Sequence, residues 1–351
     1  MTTHQRFVTL TAACVLALLQ PGCLEVETTT RVNEDGSFER TIEITGDSSA
    51  LARGGYPLAL RGQWEKKLER NEKGKFRLKA IGQFGDVDGL NEAIRGEPAR
   101  SLQFRAALER RFLWFTTTFR YEETLAVFYP FDAVPVTEFV SPGEIDLFLH
   151  HELEEEPYPT PGDSLALDDA SERFNAWELR NRLEAFYQEL IKGAERAGDP
   201  ALTAERLMAS KEEFYRTVPG QKDPDTAEAL ADYAAQLFGE APVRRAMEAN
   251  REGFDEYDRR LKFLETVATT GLKMSVEMPG LITDTNGPSI EGSRVSWSDF
   301  KAYCYVRDYT MWVESRVINW WAIVLTGVVL LALVALFAVS AVRRRPRVAT
   351  A

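Results

Sequence analysis

The feature that most constrains this chain is an uncharged run of 26 residues, Val317 to Val342, followed at once by Arg343, Arg344, Arg345 and Arg347. A helix of about 20 apolar residues crosses a hydrocarbon core, so this run is long enough to span with some tilt. Trp320 and Trp321 sit at its upstream edge, where indoles favour the headgroup zone, and the arginine block favours the cytoplasmic side. The preceding residues, 24–316, are thereby assigned outside the cytoplasm, with 343–351 as a short cytoplasmic tail. Asn319, Thr326 and Ser340 are the polar residues of the run, too mild a set to suggest a pore or ion pathway.

A second apolar run, Phe7 to Leu19, spans 13 residues behind Arg6, too short to cross and proportioned like the core of a signal peptide. It leads into Leu19-Gln20-Pro21-Gly22-Cys23, which resembles the bacterial lipobox. Gly22 fits that pattern; Gln20 and Pro21 depart from it, because the aliphatic Leu19 stands one place early. The resemblance implies removal of residues 1–22 and acylation of Cys23. Ordinary signal-peptidase cleavage and an uncleaved anchor are the alternatives, and Cys14 is a weaker acceptor because processing there would shorten the apolar core. A lipid at Cys23 is expected to hold the first strand close to the bilayer.

One arginine lies before residue 24 and four lie after 316, so the exported region carries 37 basic against 54 acidic residues, a net of −17. That balance argues against nucleic acid as a partner. Arg105, Arg110 and Arg111 precede a cluster of aromatics and form a local basic group, partly offset by Glu109. With Cys23 acylated, Cys304 is the remaining thiol and no internal disulfide can form. The alternation around it suggests a small buried residue in a strand.

Residues 24–45 read as a β-hairpin: Leu24, Val26, Thr28, Thr30 and Val32 share one face, and Asn33-Glu34-Asp35-Gly36 supplies the turn. A β-rich stretch follows through Tyr129, with a short helix around Val87–Ile94 and Phe112, Trp114, Phe115, Phe119 and Tyr121 dense among threonines. This is the first part of the exported domain, 23–130. Prolines punctuate 131–165, a linker with a short helix at Pro142–His151. Helical spacing governs 166–270, about four helices. Strand alternation returns over 271–316, as in Leu272, Met274, Val276 and Met278, before Pro279-Gly280 ends the run. The expected class is α+β: a membrane-anchored β-rich domain interrupted by a helical insertion, then one transmembrane helix over 317–342. Two separate β domains are the alternative.

Cys23 to Phe38, Met278 to Gly287 and Val295-Ser296-Trp297 together resemble uncharacterised bacterial surface lipoproteins, in which a lipidated β-rich domain precedes a C-terminal membrane helix. One mycobacterial branch of that resemblance is associated with envelope glycolipids. It transfers no ligand-contacting residue to this chain.

His4, His150 and His151 are the histidines. The adjacent pair precedes Glu152, Glu154, Glu155 and Glu156 and reads as acidic surface rather than a metal site. No glycine-rich phosphate loop, zinc-protease motif or nucleophile elbow occurs, so no catalytic residue and no cofactor is assigned. A carboxylate-dependent hydrolase using residues such as Asp223, Asp225 or Glu252 is the enzymatic alternative, each of these reading more simply as a surface acid. Tyr303, Tyr305, Tyr309, Trp312, Trp320 and Trp321 crowd the approach to the membrane in sequence. The resulting expectation is a membrane-tethered envelope binding or assembly module for a lipid, glycolipid, glycan or protein, with a concave or apolar surface near the membrane. An accessory subunit of a larger membrane complex is the third possibility.

Overall fold

The computed structural model describes residues 24–46, 51, 55–70, 75–146, 161–218, 226–298 and 300–343. Cys23, the leader, His150, His151, Asp223, Asp225, Arg344, Arg345 and Arg347 lie outside the described residues.

Strands β1 (Glu25–Val32) and β2 (Phe38–Gly46) form the expected hairpin, with Val32 opposite Phe38. Alternation sorts β1 cleanly: Val26, Thr28, Thr30 and Val32 are buried, whereas Glu25, Glu27 and Arg31 are exposed. Strands β3 (Glu65–Arg70) and β4 (Phe76–Phe84) extend this sheet beyond β2. On the other side β1 pairs in parallel with β7 (Gly271–Glu277), Glu25 opposite Gly271 and Arg31 opposite Glu277. The chain's first strand and a strand 246 residues later are thus neighbours in one sheet. Strand order is β3-β4-β2-β1-β7-β10-β9, where β9 is Ser289–Glu291 and β10 is Arg294–Ser298.

A second, four-stranded sheet also combines both halves of the chain. Strands β5 (Phe104–Leu113) and β6 (Thr116–Leu125) form a hairpin, β6 pairs with β11 (Tyr309–Ile318), and β11 pairs with β8 (Leu281–Thr285). The inner faces of the two sheets meet where Phe38 packs on Tyr121, ring centroids 6.0 Å apart. One rung further, the buried Arg40 donates to Glu123 at 2.7 Å, and the Tyr121 hydroxyl donates to the other Glu123 oxygen at 2.7 Å. Burial of Ile42, Ile44, Phe119, Met274, Val313 and Trp297 completes this core, each large side chain stabilising by about 1.5–3 kcal/mol relative to exposure.

Helix α1 (Val87–Ile94) is capped by Asp86, whose carboxylate accepts from the Gly89 amide at 2.8 Å. Its Asn91 donates to the Ala106 carbonyl and accepts from the Ala106 amide, so the free edge of β5 is covered by a side chain that mimics a strand. Between β6 and β7 come α2 (Pro161–Ala197), α3 (Ala204–Thr217), α4 (Ala227–Phe238), α5 (Glu240–Ala249) and α6 (Arg251–Thr269). The spacing suggested about four helices, whereas five are described; α4 and α5 break at Gly239, whose φ of +91° is open to glycine, and α5 and α6 break at Asn250. A Cβ on Gly193 would stand 2.3 Å from the Ala246 carbonyl, so that glycine lets α2 and α5 approach closely. Aromatic packing ties these helices to the sheets: Tyr129 lies on Trp177 with centroids 4.6 Å apart, and Trp177 donates to the Val134 carbonyl at 2.8 Å. The helix expected from Pro142 is present over 142–146 within the described residues.

Three readings change. Cys304 is fully buried as expected, but in a 3-10 turn, Phe300–Tyr305, rather than a strand. That turn carries Lys301, whose ammonium donates to the carbonyls of Val267, Ala268 and Thr270 and so caps the end of α6. Second, Val317 and Ile318 belong to β11, opposite Thr117 and Thr116, and the apolar helix α7 begins at Trp320 and runs to Arg343. Third, β1 runs toward the end of the sheets where β11 meets α7. Its first residues lie at the opposite end, where the Leu24 carbonyl accepts from Gly271 beside the end of α6. The first strand therefore does not begin close to the apolar helix.

Candidate functional site at the foot of the sheets

The β5–β6 hairpin turns through two residues, Trp114 and Phe115, with neither in the left-handed region. This tip sits against the start of α7. Asn319, the single residue between β11 and α7, is 8% exposed and works as a clamp. Its amide nitrogen donates to the Phe115 carbonyl at 2.9 Å, and its side chain donates to the carbonyls of Leu113 (3.1 Å) and Trp114 (3.2 Å). The Thr117 hydroxyl donates to its side-chain oxygen at 3.1 Å. Trp114 donates its indole N–H to the Thr326 hydroxyl at 2.9 Å, Phe112 stacks on Trp321 with centroids 6.2 Å apart, and Trp114 meets the same indole edge-on at 5.6 Å.

Beside this clamp is an open concavity of about 800 Å³. Phe112, Phe119, Val317, Trp320 and Trp321 supply apolar wall, Thr117, Thr283 and Asn319 supply hydrogen-bonding groups, and the turn at Gly280-Leu281 forms one rim. Arg110, Arg316 and Glu34 are its charged lining residues; Arg316 contributes through its backbone, beside Gly280, while its side chain belongs to the outer face of β11. Arg110 lies over the Phe119 ring at 5.6 Å, on the inner face of the hairpin. Strand pairing places Arg111 and Arg316 on either side of Thr118, on the outer face. Gly280 has φ +78°, and a Cβ there would stand 2.3 Å from the Arg316 carbonyl, so the rim closes only over glycine.

Of the aromatics that crowd the approach in sequence, Trp320 and Trp321 lie at the start of the apolar helix, whereas Tyr305, Tyr309 and Trp312 do not. Strand β11 spans ten residues, about 30 Å at 3.3 Å per residue. Tyr309, at its far end, stacks on Phe300, and Tyr305 packs with Phe128, Tyr129 and Trp177 at the helical junction. Trp312 lies under the Arg120 guanidinium. Trp320 and Trp321 do occupy the first turn of α7, 67% and 56% exposed. The missing partners come from Phe112, Trp114 and Phe115, whose density was visible in the sequence but whose turn was not.

Carboxylates elsewhere are engaged in structure. On the outer face of the large sheet, Glu277 accepts from Arg31 at 2.8 Å and from Arg294; burial opposes its ionisation, but these two partners outweigh it and hold its pKa below the ordinary value. Asp258 is pushed above the usual range by burial, and it accepts the Ala227 amide at the start of α4 at 2.7 Å, a helix-capping role. Glu252 is exposed. Among the described residues no three His, Cys, Asp or Glu side chains are arranged to hold a metal ion.

Helix α7 contains a span, Trp320–Ser340, of 21 residues and mean hydropathy 3.0, only 6% of it buried by the rest of the chain. It is one apolar helix of membrane-crossing length between a large N-terminal domain and a short C-terminal tail. No family model and no curated protein matches the chain. Among solved structures, the chain has a weak structural resemblance to the folded domain of LppM from Mycobacterium tuberculosis, with 11% identity and a TM-score of 0.28 over 86% of this chain and 94% of that one. Nothing about ligand or partner follows from a superposition of that quality.

Proposed function

We propose that this chain is a membrane-tethered module of the bacterial envelope whose basal concavity holds the headgroup region of an anionic amphiphile at the bilayer surface. The observation that carries this reading is the position and lining of the concavity: aromatic walls for acyl or ring surface, hydroxyl and amide groups for a polar head, and Arg110 for a negative charge, all beside the first turn of the apolar helix. Sites of several hundred Å³ with few convergent polar groups suit small amphiphiles. Arg110 is preorganised by Phe119, which limits the side-chain entropy lost on binding. The exported region would lie outside the cytoplasm, with the arginine tail inside.

An acyl chain on Cys23 forms part of the same proposal with a different geometry. Leu24, the residue that follows Cys23, lies at the sheet end remote from Trp320, beside the end of α6.

The test is mass spectrometry of lipids retained by the full chain after purification from membranes. One anionic class enriched several-fold over the bulk membrane, and lost from the Arg110→Ser variant, is the expected result. Bulk composition in both proteins would overturn the proposal.

A further inference from the structure

We infer that the Phe112–Phe115 hairpin tip is a second membrane element, inserted among the headgroups and upper acyl chains beside α7, and that it fixes the attitude of the β layers on the bilayer. Four consecutive residues at this tip, Phe112, Leu113, Trp114 and Phe115, are each between 43% and 52% exposed. Two other sheet turns, Asn33-Glu34-Asp35-Gly36 and Glu291-Gly292-Ser293-Arg294, are polar and carry no aromatic residue. Leu281, on the neighbouring rim, is 72% exposed and extends the apolar patch.

The depth of the tip is set by its contacts with the helix. Thr326, which receives the Trp114 N–H, lies six residues past Trp320, about 9 Å along the axis at 1.5 Å per residue. With Trp320 and Trp321 in the headgroup zone, the Trp114 indole reaches below them. The occupant of this surface is therefore the bilayer that α7 crosses, because the patch is continuous with the helix surface and lies on the same level.

A turn entering a water-poor layer must satisfy its own carbonyls. This one does. Leu113, Trp114 and Phe115 all place their carbonyl oxygens on Asn319, and the indole N–H of Trp114 is also engaged. Two to three residues above the turn stand Arg111 and Arg316, flanking Thr118 on the outer face. At about 3.3 Å per residue that puts the guanidinium-bearing rung roughly 8 Å above the tip, the level at which lipid phosphates would meet them.

The experiment places a nitroxide on Phe115→Cys in the full chain, reconstituted in nanodiscs of phosphatidylethanolamine and phosphatidylglycerol. Relative accessibility to oxygen and to a water-soluble nickel chelate gives depth. Labels at Ile323→Cys, within α7, and at the exposed Met208→Cys, on α3, mark the lipid and water limits, and signal from native thiols is subtracted using the unsubstituted chain. Leu113→Cys repeats the reading in case the first variant disturbs the turn. Oxygen-dominated accessibility at both tip positions, close to that at Ile323, is expected. A label as accessible to nickel as that at Met208 would overturn the inference, as would one shielded from both reagents, which indicates a protein partner. The result is independent of whether the concavity binds an amphiphile.

Discussion

The buried pair Arg40–Glu123 makes the two sheets one body, and its removal has a magnitude that can be worked through. Arg40 is on β2 and Glu123 on β6; their side chains are 2% and 1% exposed and meet at 2.7 Å. The second Glu123 oxygen accepts from Tyr121, and Arg40 lies 5.8 Å from the centre of the Phe104 ring. Glu123→Leu leaves a guanidinium between two sheets without its counter-charge, at a cost of about 3–5 kcal/mol. Replacing both, Arg40→Met with Glu123→Leu, removes the stranded charge and fills the space with apolar atoms, so the double variant should lie within about 1 kcal/mol of the parent or above it. Tyr121→Phe loses one hydrogen bond to a charged acceptor, about 1.5–3 kcal/mol. Urea unfolding of the full chain in nanodiscs, followed by near-ultraviolet circular dichroism, gives all four stabilities, and adding the Arg40→Met single variant gives the coupling between the two positions. If Glu123→Leu costs less than 1 kcal/mol, or if the double variant is as unstable as the single one, the sheets are not joined by a desolvated ion pair.

Gly280→Ala forces a Cβ against the Arg316 carbonyl at positive φ, and should lower stability by about 1–3 kcal/mol with loss of retained lipid; thermal unfolding and lipid extraction measure both. Cys304 is pushed up to about 12 by burial, which leaves roughly one thiolate in ten thousand at pH 8. Iodoacetamide should therefore modify it only after unfolding. Glu184 in α2 is opposed by burial but accepts from Lys211, Tyr215 and Gln188, and the net effect lowers its pKa from 4.5. A depressed acid contributes stability that is complete above about pH 4.5 and is lost as pH falls through its folded value. Helical circular dichroism of the parent should accordingly weaken on acidification below that point, and Glu184→Gln should blunt that response while lowering stability at pH 7.

Much of the architecture was legible because burial leaves a period in the residues. Leu272, Met274 and Val276 alternate and form β7; Leu183, Phe186, Tyr187 and Leu190 repeat at helical spacing and face the core of the helical layer. That alternation marks the late segments as strands, but neither their division between two sheets nor the parallel pairing of β7 with β1 could be read from it, since no local signal encodes a pairing across 246 residues. The site was harder to see. A two-residue turn made of Trp114 and Phe115 carries none of the Gly, Asn or Asp that mark tight hairpins, because its polar groups are satisfied by Asn319 rather than by its own side chains or water. Tyr305 and Tyr309 were placed near the membrane by sequence distance alone, and an extended β11 separates Tyr309 from it by about 30 Å. Cys304 was assigned to a strand because a six-residue 3-10 segment is too short for its period to be distinguished from alternation.

Hydrogen exchange of the full chain in nanodiscs of phosphatidylcholine and of phosphatidylglycerol tests the central claim most directly. The hairpin tip at 112–115 should be protected in both. Anionic lipid should add protection at 110–111, 117–119 and 280–283, the backbone around the concavity, and Arg110→Ser should abolish that increment. Identical exchange at these segments in the two lipids, or an increment confined to the polar outer face around Glu277, would contradict a basal site for an anionic amphiphile.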